Sequence, residues 1–147
     1  MDLTKFSRED WILAGVALLL AIDLLFLPWF DISVSFAGFQ ASATSTATGA
    51  PDGWLGVFAV LALAALIADL ALERLGSVAV PAIGGSRATT RLVLAAVAAA
   101  FVALKFLFHI HFSYFGIGFW AAIVLTAALV VMAVRARDAE RVTVTLA

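Results

Sequence analysis

The sequence predicts an all-α membrane protein: an antiparallel four-helix transmembrane bundle with a small extracytoplasmic β-hairpin between its first and second helices. The 147 residues are 65% hydrophobic and only 13% charged, and the mean hydropathy is +1.12. Soluble domains are about 45–50% apolar and roughly 25% charged. So much apolar surface has to face lipid, which excludes an ordinary soluble enzyme, a nucleic-acid binder or a disordered tail.

Four apolar stretches are long enough to cross about 30 Å of hydrocarbon at roughly 1.5 Å per helical residue. We expect each to be a membrane span, within one domain that covers the whole chain. Tryptophans at or near the ends of these stretches favour interfacial depth. The predicted spans are residues 11–30, 54–75, 92–110 and 117–134, and the predicted interfacial anchors are Trp11, Trp29, Trp54 and Trp120.

The distribution of Lys and Arg predicts the orientation of the chain. Basic residues precede the first span, lie in the loop at 76–91 and follow the fourth span, whereas the loop at 31–53 has none. The positive-inside rule therefore places both termini in the cytoplasm and the protein in the plasma membrane. A cleaved signal peptide is the alternative interpretation of the first span. Its full length, and the distance from Trp29 to the small-residue site at 41–43, favour an uncleaved helix.

The first outside loop predicts a β-hairpin. Ile32, Val34 and Phe36 alternate with polar residues, which is the period of a half-buried strand. Ala37-Gly38 can turn the chain, and a second strand can return from Phe39. We expect the hairpin to lie over the outer helix ends. The alternative is a disordered linker rich in Ser, Thr and Ala. The tail at 135–147 is predicted to be cytoplasmic, with a strand or a frayed segment at its end.

Three ionisable residues within the spans are candidate site residues, because a charge inside the membrane is costly. Asp23 and Lys105 reach similar depths on the first and third helices, and His109 shares a helix face with Lys105. We expect Asp23 and Lys105 to form an ion pair within a polar cluster that includes His109. This cluster is interpreted as a structural lock, with a proton or substrate site as the alternative. Asp69 is expected to reach water at the inner surface.

No chemistry-bearing motif emerges, so no catalytic residue is predicted. The chain contains no Cys, which excludes disulfide and thiolate chemistry. His109 and His111 point to nearly opposite sides of a helix, so neither a metal site nor a cofactor is expected. The predicted role is a non-enzymatic structural, scaffold or accessory subunit. The alternatives are a small transporter or channel subunit and, more remotely, a cofactor-binding subunit of a respiratory or photosynthetic complex.

Several short motifs carry a resemblance. The run Leu27-Pro28-Trp29-Phe30, the Ser/Ala/Gly-rich segment, Gly53-Trp54 and the charged tail together resemble the small four-span membrane proteins of high-GC actinobacteria. This resemblance implies a plasma-membrane location and a four-helix fold. The plan is also similar to claudin-like proteins, in architecture only. Small multidrug-resistance transporters likewise have four helices and a carboxylate in the first, where Asp23 lies. The expected partners are the lipid bilayer and either a second copy or another membrane protein, but no nucleic acid.

Overall fold

The computed structural model describes residues 6–76, 82–110 and 114–145, and it is mostly helical with one antiparallel hairpin. Three of its helices are long and apolar enough to cross a membrane. The chain is therefore a membrane protein by the length and composition of its helices. The elements in order are α1 (Arg8–Phe26), β1 (Phe30–Phe36), β2 (Phe39–Ser45), α2 (Gly53–Leu75), a 3-10 turn (Ile83–Gly85), α3 (Arg87–Phe108) and α4 (Ile117–Thr145).

The helices form a closed ring in which each packs against two neighbours: α1 against α2 and α4, and α3 against α2 and α4. Leu, Ala and aromatic side chains fill the core, and residues such as Leu20, Leu24, Leu63 and Leu66 have no exposed surface. We call the end that carries β1 and β2 the hairpin end. The opposite end, where α1 and α3 begin and α2 finishes, is the terminal end.

The first helix, α1, is not among the helices that are apolar enough to count as a membrane span by composition. The apolar spans are α2, α3 and the Ile117–Val142 part of α4, whereas α1 carries Asp10 and Asp23 in addition to charged residues at its start. Ser7 begins α1 with a capping box, in which its hydroxyl accepts from the Asp10 amide and the Asp10 carboxylate accepts from the Ser7 amide. These two hydrogen bonds fix the first turn of α1, including the charged residue Asp10.

The predicted hairpin is confirmed, with Phe30 opposite Ser45 at its base and Phe36 opposite Phe39 at its tip. Ala37 and Gly38 both have positive φ, 49° and 86°, as the tight type I′ turn of a two-residue hairpin requires. The strand period places Ile32, Val34, Phe36 and Phe39 on one face. The expectation that the hairpin lies over the helix ends is wrong for this face, which the described helices leave uncovered. Val34 is 59% exposed and the two phenylalanines exceed 80%, whereas Phe30 at the base is 3% exposed.

The segment that enters α4 fixes the base of the hairpin. The Asp31 amide donates to the Tyr114 carbonyl at 3.0 Å, and the Gly116 and Gly118 amides donate to the Trp29 and Pro28 carbonyls. A Cβ at Gly116 would collide with the Pro28 carbonyl group, so glycine is what permits this close approach. The base of β1 is therefore hydrogen-bonded to β2 on one edge and to the segment that enters α4 on the other, whereas Phe36 and Phe39 at the tip are exposed.

The last helix corrects the prediction for the tail. Instead of ending near 134, α4 continues as a single 29-residue helix to Thr145, so the segment at 142–145 is not a strand. At roughly 1.5 Å per residue, this helix is about 43 Å long and exceeds the thickness of a hydrocarbon core. Its charged C-terminal part, which begins at Arg135, therefore extends past such an apolar layer.

Candidate functional site

Two buried polar clusters lie at opposite ends of the bundle. At the terminal end is an arginine network, which joins residues of α1, α2 and α3. Its members are Asp10, Asp69, Glu73, Arg74, Arg87 and Arg91. At the hairpin end is a lysine clamp, in which Lys105 and His109 of the α3 end hold the loop that precedes α2. Its members are Lys105, His109, Gly49, Pro51 and Asp52.

Arg91 is the centre of the arginine network and is only 6% exposed. Its Nε donates to an Asp69 oxygen at 3.2 Å, its Nη1 lies 3.5 Å from an Asp10 oxygen, and its Nη2 pairs with Glu73. The planar guanidinium presents its donors in a fixed fork, which suits several carboxylates at once. One side chain of α3 therefore ties together the first turn of α1 and the last turns of α2.

Two further arginines complete the network. Arg74 lies 2.7 Å from the second Asp10 oxygen, and Arg87 donates to Asp69 at 2.6 Å. Each aspartate thus lies between Arg91 and one more guanidinium, so the charges compensate locally. Asp69 was expected to reach water, and this expectation is wrong. It is 7% exposed, because arginines one turn apart on α3 face the acidic residues one turn apart on α2.

Lys105 is buried among backbone oxygens at the other end, with only 1% of its surface exposed. Its ammonium group donates to the carbonyls of Pro51 at 2.6 Å, Asp52 at 3.3 Å and Gly49 at 3.5 Å. Three acceptors match the three N–H donors of an ammonium group. The ring of Phe30 lies 5.6 Å from the same nitrogen, within the range of a cation–π contact.

His109 joins the clamp from the end of α3. Its Nδ1 lies 2.8 Å from the Lys105 carbonyl, and its Nε2 lies 3.5 Å from an Asp52 carboxylate oxygen. The structure thus brings Lys105 and His109 together, as the sequence predicts. It places Asp52, a residue that the sequence reasoning did not single out, as their common neighbour. His111 lies outside the described residues.

Asp23 does not belong to this cluster. The ion pair predicted between Asp23 and Lys105 is absent. One Asp23 oxygen accepts from the indole N–H of Trp29 at 3.3 Å, and the other is buried without a hydrogen-bond partner. The prediction failed because depth along two helices does not specify which way the side chains point. The loop carbonyls, which have no sequence signature, reach Lys105 instead.

The predicted tryptophan anchors divide into two groups. Trp11 and Trp54 are each 51% exposed and Trp120 is 60% exposed, which suits side chains that meet lipid headgroups. Trp29 is not exposed in this way, so the prediction that it is an interfacial anchor is wrong. It is 1% exposed, bonded to Asp23, and packed edge-on against Phe119 at 5.7 Å. Within the described parts of the chain, no three potential metal ligands converge.

Comparison with known proteins adds no relative: no family model, no curated protein and no solved structure matches the chain. The fold defines a helical membrane protein whose buried charges are held mainly by internal partners and whose outstanding surface feature is the hairpin.

Proposed function

We propose that all four helices cross the plasma membrane, with both termini in the cytoplasm. Support for α1 comes from its place in the ring between two apolar helices, and from its length of 19 residues, or about 28 Å. Its two buried carboxylates have partners: Asp10 in the arginine network and Asp23 at Trp29. Of the eight basic residues that the structure describes, seven lie toward the terminal end, which favours that end as the cytoplasmic one.

We propose that the protein is a non-enzymatic scaffold or accessory subunit that associates through its extracytoplasmic hairpin. The observation that carries this proposal is the uncovered apolar face of the hairpin, where Phe36 and Phe39 are 81% and 82% exposed. A two-stranded hairpin is at best marginally stable in water, and exposed apolar patches mark contact surfaces. The partner is a second copy of this chain or another membrane protein.

The contacts that attach the hairpin to the helix bundle support a role in binding. Phe30 at its base is 3% exposed and lies against the rings of His109 and Phe115. Hydrogen bonds to Ser45 on one side and Tyr114 on the other fix the strand that carries it. A binding element held rigidly at its base loses less conformational entropy when a partner docks on it.

Replacing Phe36 and Phe39 by Ser is expected to abolish association, because it removes the two largest apolar side chains from the exposed face. The measurement is the mass of the complex, and the proteins that accompany it, after extraction in mild detergent. The matched control replaces Ser33 and Ser42 by Ala on the opposite face of the same strands. We expect the control to keep the wild-type mass.

The proposal is contradicted if the double Phe variant, with helical content unchanged by circular dichroism, keeps the same mass and the same accompanying proteins. A self-complex in the wild type identifies the partner as a second copy. A stoichiometric second protein identifies an accessory subunit.

A small transporter or channel subunit is the second candidate function. One observation favours it: a carboxylate oxygen of Asp23 is buried and has no hydrogen-bond partner, and ionisable groups inside membranes mark transport paths. Transport also needs a water path to that carboxylate. Neither the cavity at the terminal end nor the one beside the hairpin strands is lined by Asp23, so the scaffold role is the better supported of the two.

A further inference from the structure

A cavity of about 430 Å³ opens at the terminal end of the bundle, and all four helices contribute to its wall. This volume lies within the range of small-molecule sites, roughly 300–1,000 Å³. Ile12, Leu13 and Met132 form an apolar part of the lining, while charged side chains from α1, α2, α3 and α4 form most of the rest. The cavity is therefore amphipathic, with apolar and charged groups in one concave surface.

The charges in this cavity fall into two sets. Those of the arginine network are compensated internally, as Arg74 and Arg91 are by Asp10 and Glu73. A second set has no such partner: Arg8, Glu9, Arg135 and Glu140 line the cavity but form no ion pair within the described residues. Two cations and two anions thus remain available to a ligand.

We propose that this cavity binds a phospho-amine group, that is, a phosphate linked to an ammonium as in phosphoethanolamine. Arg8 and Arg135 donate to the phosphate, for which guanidinium groups are well suited. Glu9 and Glu140 accept from the ammonium. The first turns of α1 and α3 also contribute to the lining, and the positive ends of helix dipoles favour the phosphate.

Two sources supply this chemistry, a phosphatidylethanolamine headgroup in the adjacent leaflet and a water-soluble phosphoethanolamine. The apolar residues Ile12, Leu13 and Met132 suit the glycerol or linker carbons of either. A purely anionic headgroup matches only half of the free charges, because Glu9 and Glu140 would repel it. Discrimination between an amine-bearing and an amine-free phosphate is therefore the signature of this site.

The test measures binding by native mass spectrometry of the full chain in detergent. The probes are short-chain phosphatidylethanolamine, short-chain phosphatidylglycerol and free phosphoethanolamine. We expect phosphatidylethanolamine to bind roughly tenfold tighter than phosphatidylglycerol, about 1.4 kcal/mol. Replacing both Arg8 and Arg135 by Gln should lower the affinity for phosphatidylethanolamine roughly tenfold or more. Replacing both Glu9 and Glu140 by Gln should remove the preference for it.

The matched control is Arg137→Gln, which changes an arginine on the same helix that does not line the cavity. This control should bind phosphatidylethanolamine with the same affinity as the wild type. Equal affinity of the wild type for the two lipids overturns the proposal. Unchanged binding of phosphatidylethanolamine by the double Arg variant also overturns it. Competition by free phosphoethanolamine supports a soluble ligand, whereas binding of the lipid alone supports the headgroup. Loss of this site leaves the hairpin proposal untouched, because the two lie at opposite ends.

Discussion

Replacing Arg91 by Met is expected to lower the free energy of unfolding by about 3–5 kcal/mol, the usual loss when one partner of a buried ion pair is removed. Arg91 contacts three carboxylates, those of Asp10, Asp69 and Glu73. Without it, Arg74 and Arg87 still compensate Asp10 and Asp69 in part. Glu73 then has no cation among its described contacts, and the link from α3 to α1 is lost.

The measurement is the unfolding midpoint during titration with a denaturing detergent in mixed micelles. Arg137→Met is the matched control, because Arg137 lies outside the proposed ligand site and forms no ion pair with any described residue. The control should stay within about 0.5 kcal/mol of the wild type. An Arg91 variant as stable as this control would show that the arginine network does not hold the helices together.

Replacing Lys105 by Met is expected to lower the free energy of unfolding by about 2–4 kcal/mol, because it leaves buried carbonyls without a donor. Pro51, Asp52 and Gly49 accept from the ammonium group in the native state. We expect the loop at 46–52 to exchange its amide hydrogens faster in this variant. Leu104→Met, a change at the neighbouring exposed position, should leave both the stability and the exchange unchanged.

The same variant tests how Lys105 is compensated. If loop carbonyls hold its charge, adding Asp23→Asn should not restore the stability of the Lys105 variant. An ion pair between the two residues would instead make the double replacement less damaging than Lys105→Met alone. Recovery in the double variant would therefore contradict the lysine clamp as described.

The sequence was sufficient to predict the helices and the hairpin, because both depend on patterns along the chain. Apolar runs place the helix ends within about five residues, except for the end of α4 at Thr145, and the alternation from Ile32 to Phe36 places the strand. The hairpin's exposure was not predictable, because a period of two identifies an apolar face without stating whether anything covers it. The helical tail was also missed, since β-branched residues at its end favour strands only weakly.

The polar clusters were predicted only in part, for a related reason. Lys105 and His109 share a face four residues apart, and helical geometry is enough to bring them together. Their acceptors are backbone oxygens, which carry no sequence signal. The arginine network does have a sequence signal. Two acidic residues on α2 and two arginines on α3 are each spaced four residues apart, on helices that are antiparallel neighbours: Asp69 and Glu73, and Arg87 and Arg91. The pattern Ser7-x-x-Asp10 likewise marked the start of α1.

The central claim is that α1 crosses the bilayer with the others, so that the hairpin and the two termini lie on opposite sides. Because the chain has no Cys, single cysteines placed at Glu9, Ser42 and Arg141 can be labelled one at a time. Ser42 is exposed and lies on the hairpin face opposite Phe36 and Phe39, so a docked partner leaves it accessible. With a membrane-impermeant maleimide on intact cells, we expect labelling at position 42 alone, and labelling at 9 and 141 only after permeabilisation. Labelling of position 9 in intact cells, or protection of position 42, would contradict this threading.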